Sequence, residues 1–186
     1  ILILNERVVV GAELGMPIGR ALGIEADILW DLEVNANRPD AMSVAGVARD
    51  LAAALGVPFS FPDYSITTTG ERVDDLINIT IEDPTLCGRF VATVLHDVTV
   101  GASPAWMQNR LTQLGMRPIN SVVDISNYVM LELGQPNHTF DLATIPNGAL
   151  RVRRARDGET LVTLDNVERA LVPSDGVITN EADEII

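Results

Sequence analysis

Helix-like and strand-like patterns fall in separate blocks of this chain, and this arrangement constrains its fold most. After a polar turn, apolar residues recur at helical spacing beyond a cap at Asp40 or Ser43, and Gly56 ends that pattern. From Leu150 onward, short strand-like stretches return. Regular strand–helix–strand alternation, which builds parallel sheets, is not seen. The sequence therefore predicts an α+β fold with a mixed or antiparallel sheet and a few helices.

Two further helices are predicted from their end signals. Ser103-Pro104 begins the first of them, with Ser103 as the cap and Pro104 at the first helical position, and Gly115 ends it. Asn120 caps the other, which continues to about Leu133. In the first, Met107, Leu111 and Leu114 line one face, and Trp106 is more typical of a core residue than of a base-stacking surface.

The strand predictions rest on short alternating or β-branched stretches. They cover Leu29–Val34, Leu76–Ile81, Arg89–Val98, Leu150–Ala155, Thr160–Leu164 and Val177–Thr179. Asp165-Asn166 is expected to form a hairpin turn between two strands. Residues 57–75 contain prolines and a glycine turn and are expected to be a connector.

Charge and residue counts exclude several classes of protein. The 186 residues include 26 acidic and 13 basic side chains, all of the latter Arg, for a net charge of -13. The excess of acidic over basic side chains argues against a free-standing nucleic-acid-binding protein, because the phosphates would be repelled. One cysteine and two histidines exclude a disulfide framework and a Cys- or His-rich metal cluster, so no metal site is predicted.

Targeting patterns are also missing from the sequence. There is no 18-residue apolar stretch and no signal-peptide pattern, so we expect a soluble, cytoplasmic protein with no membrane partner. The chain begins at Ile1 within an apolar run and stops at Ile186, which we interpret as a piece truncated at both ends. Gly-x-Ser-x-Gly, Gly-x-Gly-x-x-Gly and Walker-type loops do not occur, so no cofactor is predicted in this chain.

The densest polar segment runs from Arg117 to Asp141. It places Ser126 and Asn127 in the first two turns of an otherwise apolar helix, close to Asp124. Helix starts offer free N–H groups and a positive dipole end, which suit a carboxylate or an ester carbonyl oxygen. His138 follows on a loop and could fold back toward these residues. The alternative is that the polar start caps its own backbone and His138 is structural.

Two long segments resemble a known family. Asn37-Arg38-Pro39-Asp40 with Ser43 through Arg49, and Arg117 through Pro136, resemble the signature of the bacterial phenylalanyl-tRNA synthetase beta subunit. His138-x-Phe140-Asp141 and Thr163-Leu164-Asp165 continue the match. The resemblance implies that residues 1–36 end a B1-like region and that residues 37–186 form a C-terminally incomplete B3/B4 editing domain.

The resemblance also implies a function within a larger enzyme. That enzyme attaches phenylalanine to tRNA(Phe), and its B3/B4 domain hydrolyses mischarged tyrosyl-tRNA(Phe). The ATP and Mg²⁺ of the full enzyme belong to the alpha subunit, the expected partner in a heterotetramer of two alpha and two beta subunits. No cofactor is therefore expected in this chain.

By resemblance, the catalytic editing pocket consists of Ser126, Asn127 and His138. The family pattern has Thr at the position of Ser126 and a hydrophobic residue at the position of Asn137, so the chain departs from it twice. The family's glycine-rich segment, and a Glu that recognises the tyrosine hydroxyl, would follow Ile186. The isolated chain is therefore expected to be inactive.

Two other functions are open from the sequence. One is a B3/B4-type scaffold or docking module that has lost editing, and the other is a stand-alone interaction domain, against which the B1-like leader argues. The cluster of Arg151, Arg153, Arg154 and Arg156 could meet phosphates, although a solvated strand-edge role is the more typical one.

Overall fold

The computed structural model describes residues 15–21, 28–68, 70–163 and 165–186. The chain divides into two units, Ile1–Pro39 and Asp40–Ile186. In the first unit, a short helix α1 (Ile18–Ala21) is described, and the strand predicted at Leu29–Val34 is wrong. No neighbouring strand pairs with that stretch among the described residues, and Trp30 within it is 74% exposed.

Four α-helices are described in the second unit. They are α2 (Val44–Leu55), α3 (Val73–Leu76), α4 (Ala105–Gln113) and α5 (Ser121–Leu133), with 3-10 turns at Pro39–Ala41, Leu142–Thr144 and Pro146–Gly148. Ser43, rather than Asp40, caps α2 by accepting from the N–H of Gly46, and Gly56 ends it at φ 67°. The short α3 covers the end of the stretch predicted to be a connector and also Leu76. The strand predicted at Leu76–Ile81 therefore starts later, at Asn78.

The ends of α4 and α5 test two further cap predictions. The prediction for α4 is wrong in its cap, because Pro104 occupies the cap position and Ser103 donates its hydroxyl to Asp124 instead. A buried carboxylate is a stronger acceptor for that hydroxyl than a weak cap contact. The prediction for α5 is confirmed: Asn120 is its cap, and Gly134 ends it at φ 77°.

A three-stranded mixed sheet forms the centre of the second unit. Its order is β1 (Asn78–Ile81), β2 (Ala149–Arg154) and β5 (Gly176–Thr179). Strand β1 is parallel to β2, with Asn78 opposite Ala149, whereas β2 is antiparallel to β5, with Arg151 opposite Thr179. This mixture of helices with small mixed and antiparallel sheets confirms the α+β class.

A separate hairpin pairs β3 (Thr160–Val162) with β4 (Glu168–Ala170). The predicted turn at Asp165-Asn166 is confirmed, with Asn166 at φ 59°. Strand β4 was not predicted, because its three residues are all exposed and carry no apolar alternation. Leu164, the last residue of the predicted strand, lies outside the described residues.

The strand predicted at Arg89–Val98 is wrong, because these residues pair with no described strand. The alternation is real, since Val91 and Leu95 are 68% and 74% exposed while the residues between them alternate in burial. Alternation favours an extended backbone, but a strand exists only where a second backbone supplies its hydrogen bonds.

Buried apolar side chains lie on β2 and β5, just beyond β2, on α2 and α4, and between the last two 3-10 turns. They are Ala52, Met107, Leu111, Ile145, Leu150, Val152, Ala155 and Val177. Leu111 is completely buried, whereas Leu114, expected on the same face, is 45% exposed at the end of α4. Helix α4 therefore buries Met107 and Leu111, whereas the buried residue of α5 is Asp124.

Candidate functional site

The segment around Asp40 is a structural entry to α2. The carboxylate of Asp40 pairs with the guanidinium of Arg49, and the hydroxyl of Ser43 accepts from the N–H of Gly46 at 3.0 Å. A Cβ on Gly46 would lie 2.1 Å from the carbonyl oxygen of Asp40, so no larger residue fits there. The spacing of Asp40, Ser43, Gly46 and Arg49 is therefore explained by the ion pair, the helix cap and the close packing at the start of α2.

The two segments that carry the family resemblance meet in space. Helices α2 and α5 pack on each other, and a Cβ on Gly134, just beyond α5, would lie 3.2 Å from the side chain of Ser43. The cap of α2 and the end of α5 therefore fit closely, which holds α5 in a defined position.

The start of α5 uses its own N–H groups. The side chain of Asn120 accepts from the N–H groups of Val122 and Val123 at 3.1 and 3.0 Å. The N–H of Ser121 donates to the carbonyl of Gly101 at 2.7 Å. The expectation that these groups are free for a ligand is therefore wrong, because the cap and the preceding loop satisfy them.

Asp124 fixes the two helix starts to each other. It is 1% exposed, and it accepts from the hydroxyl of Ser103 at 2.5 Å and from the N–H of Ile119 at 2.8 Å. A buried carboxylate with two donors is satisfied by the protein itself. Asp124 therefore supports α4 and α5 rather than offering a group to a substrate.

The loop after α5 returns to the helix at Ser126. The hydroxyl of Ser126 donates to the carbonyl of Asn137 at 2.9 Å, and the side-chain amide of Asn137 donates to the carbonyl of Ser126 at 3.4 Å. His138 follows directly and is exposed, with its ring centroid 4.5 Å from that of Phe140. The structure therefore attaches the histidine loop to the helix turn that carries Ser126 and Asn127.

Asn127 and His138 have unused hydrogen-bonding groups. Asn127 is half-buried, and neither its amide nor the imidazole of His138 has a hydrogen-bond partner among the described residues. An amide offers two donors and an acceptor, and a neutral imidazole offers one of each. Both groups are therefore available to a ligand. The structure has two cavities among the described residues, and Ser126, Asn127 and His138 line neither of them.

Those two cavities lie along the edge and face of the mixed sheet. An open groove of about 590 Å³ runs between α3, β1 and residues 89–92, and a smaller one of about 160 Å³ lies between β1, β2 and residues 180–181. Within the described ranges, no three His, Cys, Asp or Glu side chains could hold a metal ion together. No described helix is long and apolar enough to cross a membrane.

The arginine cluster on β2 is paired with carboxylates. Arg153 is 1% exposed, and its guanidinium donates to both carboxylate oxygens of Glu159 and to Asp183 at 2.8 Å. The hydrogen bonds from Arg153 lower the pKa of Glu159 to about 2 and lower that of Asp183 as well. The remaining members pair similarly, Arg154 with Asp83, Arg156 with Asp183, and Arg151 with Glu82 and Asp183. The expected solvated strand-edge role is therefore wrong for Arg153, which is buried on the central strand β2. The carboxylate pairs of the cluster also argue against phosphate binding.

One cluster, formed by Trp106 and Arg110 of α4 with Tyr128 of α5, was not predicted from the sequence. Trp106, expected in the core, is 51% exposed, so that expectation is wrong. Helical spacing identifies a face of α4 but does not say what covers it. The i, i+4 spacing of Trp106 and Arg110 was the signal that could have indicated their contact.

The fold and this geometry define a class: an α+β domain in which one capped helix presents Ser126 and Asn127 beside a returning histidine loop. Residues 86–186 match the B3/4 domain family, and the chain belongs to that family. This confirms the resemblance expected from the sequence motifs.

Curated relatives are beta subunits of phenylalanine–tRNA ligase. Identity is 42% over 169 residues with the subunit of Geobacter sulfurreducens, covering 91% of this chain and 21% of that protein. It is 44% over 166 residues with that of Anaeromyxobacter dehalogenans, covering 89% of this chain and 21% of the relative. Identity with the subunit of Dehalococcoides mccartyi is 46% over 177 residues, covering 94% of this chain and 21% of that protein. The chain spans about a fifth of the length of these relatives.

Proposed function

We propose that this chain is part of the beta subunit of a phenylalanine–tRNA ligase and carries part of its post-transfer editing site. In this proposal residues 37–186 are the B3/4 editing domain and residues 1–36 end a preceding B1-like region. The partners are the alpha subunit, which supplies the ATP and Mg²⁺ chemistry of charging, and tRNA(Phe). The substrate at the editing site is tyrosyl-tRNA(Phe).

The observation that carries the proposal is the mutual hydrogen bonding of Ser126 and Asn137. It brings the histidine loop to the turn of α5 on which Asn127 presents an unused amide. Positioning of this kind supplies rate because the reacting groups are already oriented when the substrate arrives. Similarity to ligase beta subunits over about 90% of the chain supports the same conclusion.

The proposed reaction is hydrolysis of the ester between tyrosine and the terminal ribose. A water oxygen attacks the ester carbonyl, the bond to the ribose oxygen breaks, and free tyrosine and uncharged tRNA leave. Asn127 donates its amide N–H toward the carbonyl oxygen. The hydroxyl of Ser126 already donates to Asn137, so its lone pairs accept from the tyrosine ammonium. His138 positions the ribose or the water.

The need for such a site follows from limits on selectivity. A pocket shaped for phenylalanine rejects poorly an analogue that adds a single hydroxyl. A second site can select that hydroxyl, since a buried polar partner left unpaired by phenylalanine costs about 1–3 kcal/mol. Hydrolysis at the second site then removes the error after transfer.

The test is deacylation of tyrosyl-tRNA(Phe) by the alpha–beta complex whose beta subunit contains this domain. His138→Ala and Asn127→Ala should each slow deacylation roughly 10- to 100-fold while phenylalanine charging is retained. His96→Ala is the matched control, since His96 is the other histidine and is also exposed. Equal rates for His138→Ala and His96→Ala would remove the role of His138, and an inactive parent complex would indicate a scaffold.

A further inference from the structure

Trp106, Arg110 and Tyr128 form a cluster on the outer surface of α4 and α5, here called the aromatic–arginine cluster. The rings of Trp106 and Tyr128 meet edge to face, with centroids 5.5 Å apart and planes at 90°. The guanidinium carbon of Arg110 lies 5.5 Å from the Trp106 ring centroid, and Nη1 of Arg110 donates to the Tyr128 hydroxyl at 2.7 Å. Trp106 is nevertheless 51% exposed, so the cluster is fixed and accessible.

The charge around this cluster differs from that of the chain. Residues 98–123 contain two Arg, Arg110 and Arg117, and no Asp or Glu, in a sequence with 26 acidic residues. This is the longest stretch of the sequence without a carboxylate. Asp124, the next acidic residue, is 1% exposed and bonded within the protein. Helix α4 therefore carries Arg110 and no carboxylate, and Glu132 lies one turn beyond Tyr128 on α5.

An exposed indole held by a guanidinium is suited to an unpaired nucleotide. Bases stack on aromatic rings with little sequence preference, and Arg adds attraction to the base and the phosphate. Arg110 has five N–H donors, of which the Tyr128 hydroxyl uses one. The remaining donors can reach a phosphate while the stack on Trp106 is kept.

The cluster and the proposed editing residues share one helix. Tyr128 follows Asn127 directly on α5, so one member of the cluster is next in sequence to a proposed editing residue. A strand that delivers its 3′ end to that turn can cross the cluster before it arrives.

We propose that the aromatic–arginine cluster binds the unpaired 3′ strand of tRNA, with one base stacked on Trp106 and a phosphate held by Arg110. This rests on the proposed function, in which the same strand presents its ester to Ser126, Asn127 and His138. An exposed indole beside a guanidinium favours a stacked base over an acidic or neutral protein segment, and a purely structural cluster is an outcome that the test detects.

The experiment uses the alpha–beta complex and tRNA(Phe) in which the unpaired base immediately before the 3′-terminal adenine is replaced by 2-aminopurine. Binding should change the 2-aminopurine fluorescence through stacking, and Trp106→Ala should abolish that change. The same variant should lower kcat/KM for deacylation roughly 5- to 100-fold, mainly through KM, and Trp106→Phe should restore most of it. Trp30→Ala, at a residue that is 74% exposed, is the matched control.

Arg110→Gln supplies an independent measurement. The slope of log affinity for uncharged tRNA against log salt should decrease by about one, because one phosphate contact is lost. An unchanged slope, or fluorescence in Trp106→Ala equal to that in Trp30→Ala, would overturn the proposal. Unchanged tRNA binding in both variants, whatever their melting temperatures, would show that the cluster is only structural and would also overturn the proposal.

Failure of this inference is distinguishable from failure of the proposed function. If the parent complex does not deacylate tyrosyl-tRNA(Phe), editing is lost, yet the fluorescence and salt measurements on uncharged tRNA still decide whether Trp106 and Arg110 contact RNA. If deacylation occurs and Trp106→Ala leaves it unchanged, editing stands and the cluster does not contribute.

Discussion

Ser126 and Asn137 hydrogen-bond to each other across the end of α5, each through its side chain to the backbone carbonyl of the other. By the sequence resemblance, these are the two positions at which the chain is expected to depart from the family pattern. The departures are therefore linked in space, because the residue that replaces an expected hydrophobic side chain donates to the residue that replaces an expected threonine. The histidine loop depends on this pair for its attachment to the helix.

Removing the hydroxyl of Ser126 should loosen the loop more than it changes global stability. Ser126→Ala loses one hydrogen bond worth about 1 kcal/mol, but alanine recovers about 0.5 kcal/mol of helix propensity. We expect faster amide exchange at residues 137–139 and a net change in the free energy of unfolding below about 1 kcal/mol. Ser126→Thr keeps the hydroxyl and is the control. Equal exchange in both variants would contradict the role of the bond.

Gly46 should not tolerate a methyl group. Alanine in a helix interior is normally about 1 kcal/mol more stable than glycine. Here the added Cβ would lie 2.1 Å from the carbonyl oxygen of Asp40 and 2.9 Å from Cα of Ala41, both backbone atoms. Gly46→Ala should therefore lower the free energy of unfolding by about 2 kcal/mol, measured by urea denaturation.

Ala54→Gly provides the comparison for Gly46 within the same helix. Ala54 is exposed, so its replacement should cost only the propensity difference of about 1 kcal/mol. An increase in stability for Gly46→Ala would show that the approach of Asp40 to α2 is less close than described.

Helix ends were predictable from the sequence, because capping is local chemistry. The cap of α5 needs only Asn120 and the N–H groups two and three residues later, and the ends of α2 and α5 need a glycine with positive φ. The start of α4 was not predictable to the same degree. Ser103 has the chemistry of a cap, but a buried carboxylate 21 residues away takes its hydroxyl.

Strand pairing and the path of the histidine loop depend on contacts distant in sequence. Residues 89–98 have the right alternation and no partner, whereas β4 has no alternation and forms because the turn at Asp165-Asn166 brings it to β3. Ser126 and Asn127 could be placed on one helix from spacing. The contact between Asn137 and Ser126 could not be predicted, because no residue pattern between α5 and His138 specifies the direction of the loop.

Breaking the buried charge network at Arg153 should be costly. Arg153→Met leaves the carboxylates of Glu159 and Asp183 without their main partner, so it should lower the free energy of unfolding more than a substitution at an exposed arginine. Arg151→Met is the matched control on the same strand, since the Arg151 side chain is 37% exposed and its pairs are longer, at 3.5 and 3.8 Å. Its cost should stay below about 1 kcal/mol. Equal losses of stability would mean that burial of Arg153 is unimportant.

The same network should make stability depend on acid pH. Hydrogen bonds from the Arg153 guanidinium and from the Arg156 N–H lower the pKa of Glu159 from 4.5 to about 2. Because the folded-state pKa is lowered, this stabilisation is complete above about pH 4.5 and is lost as the pH falls through about 2. Thermal unfolding across that range should show a falling melting temperature, and Glu159→Gln should make the fall shallower. Parallel curves for the parent and Glu159→Gln would assign the acid sensitivity to other carboxylates. Asp83 would be the first of these to substitute, because hydrogen bonds from the Thr85 hydroxyl and from Arg154 lower its pKa to about 2.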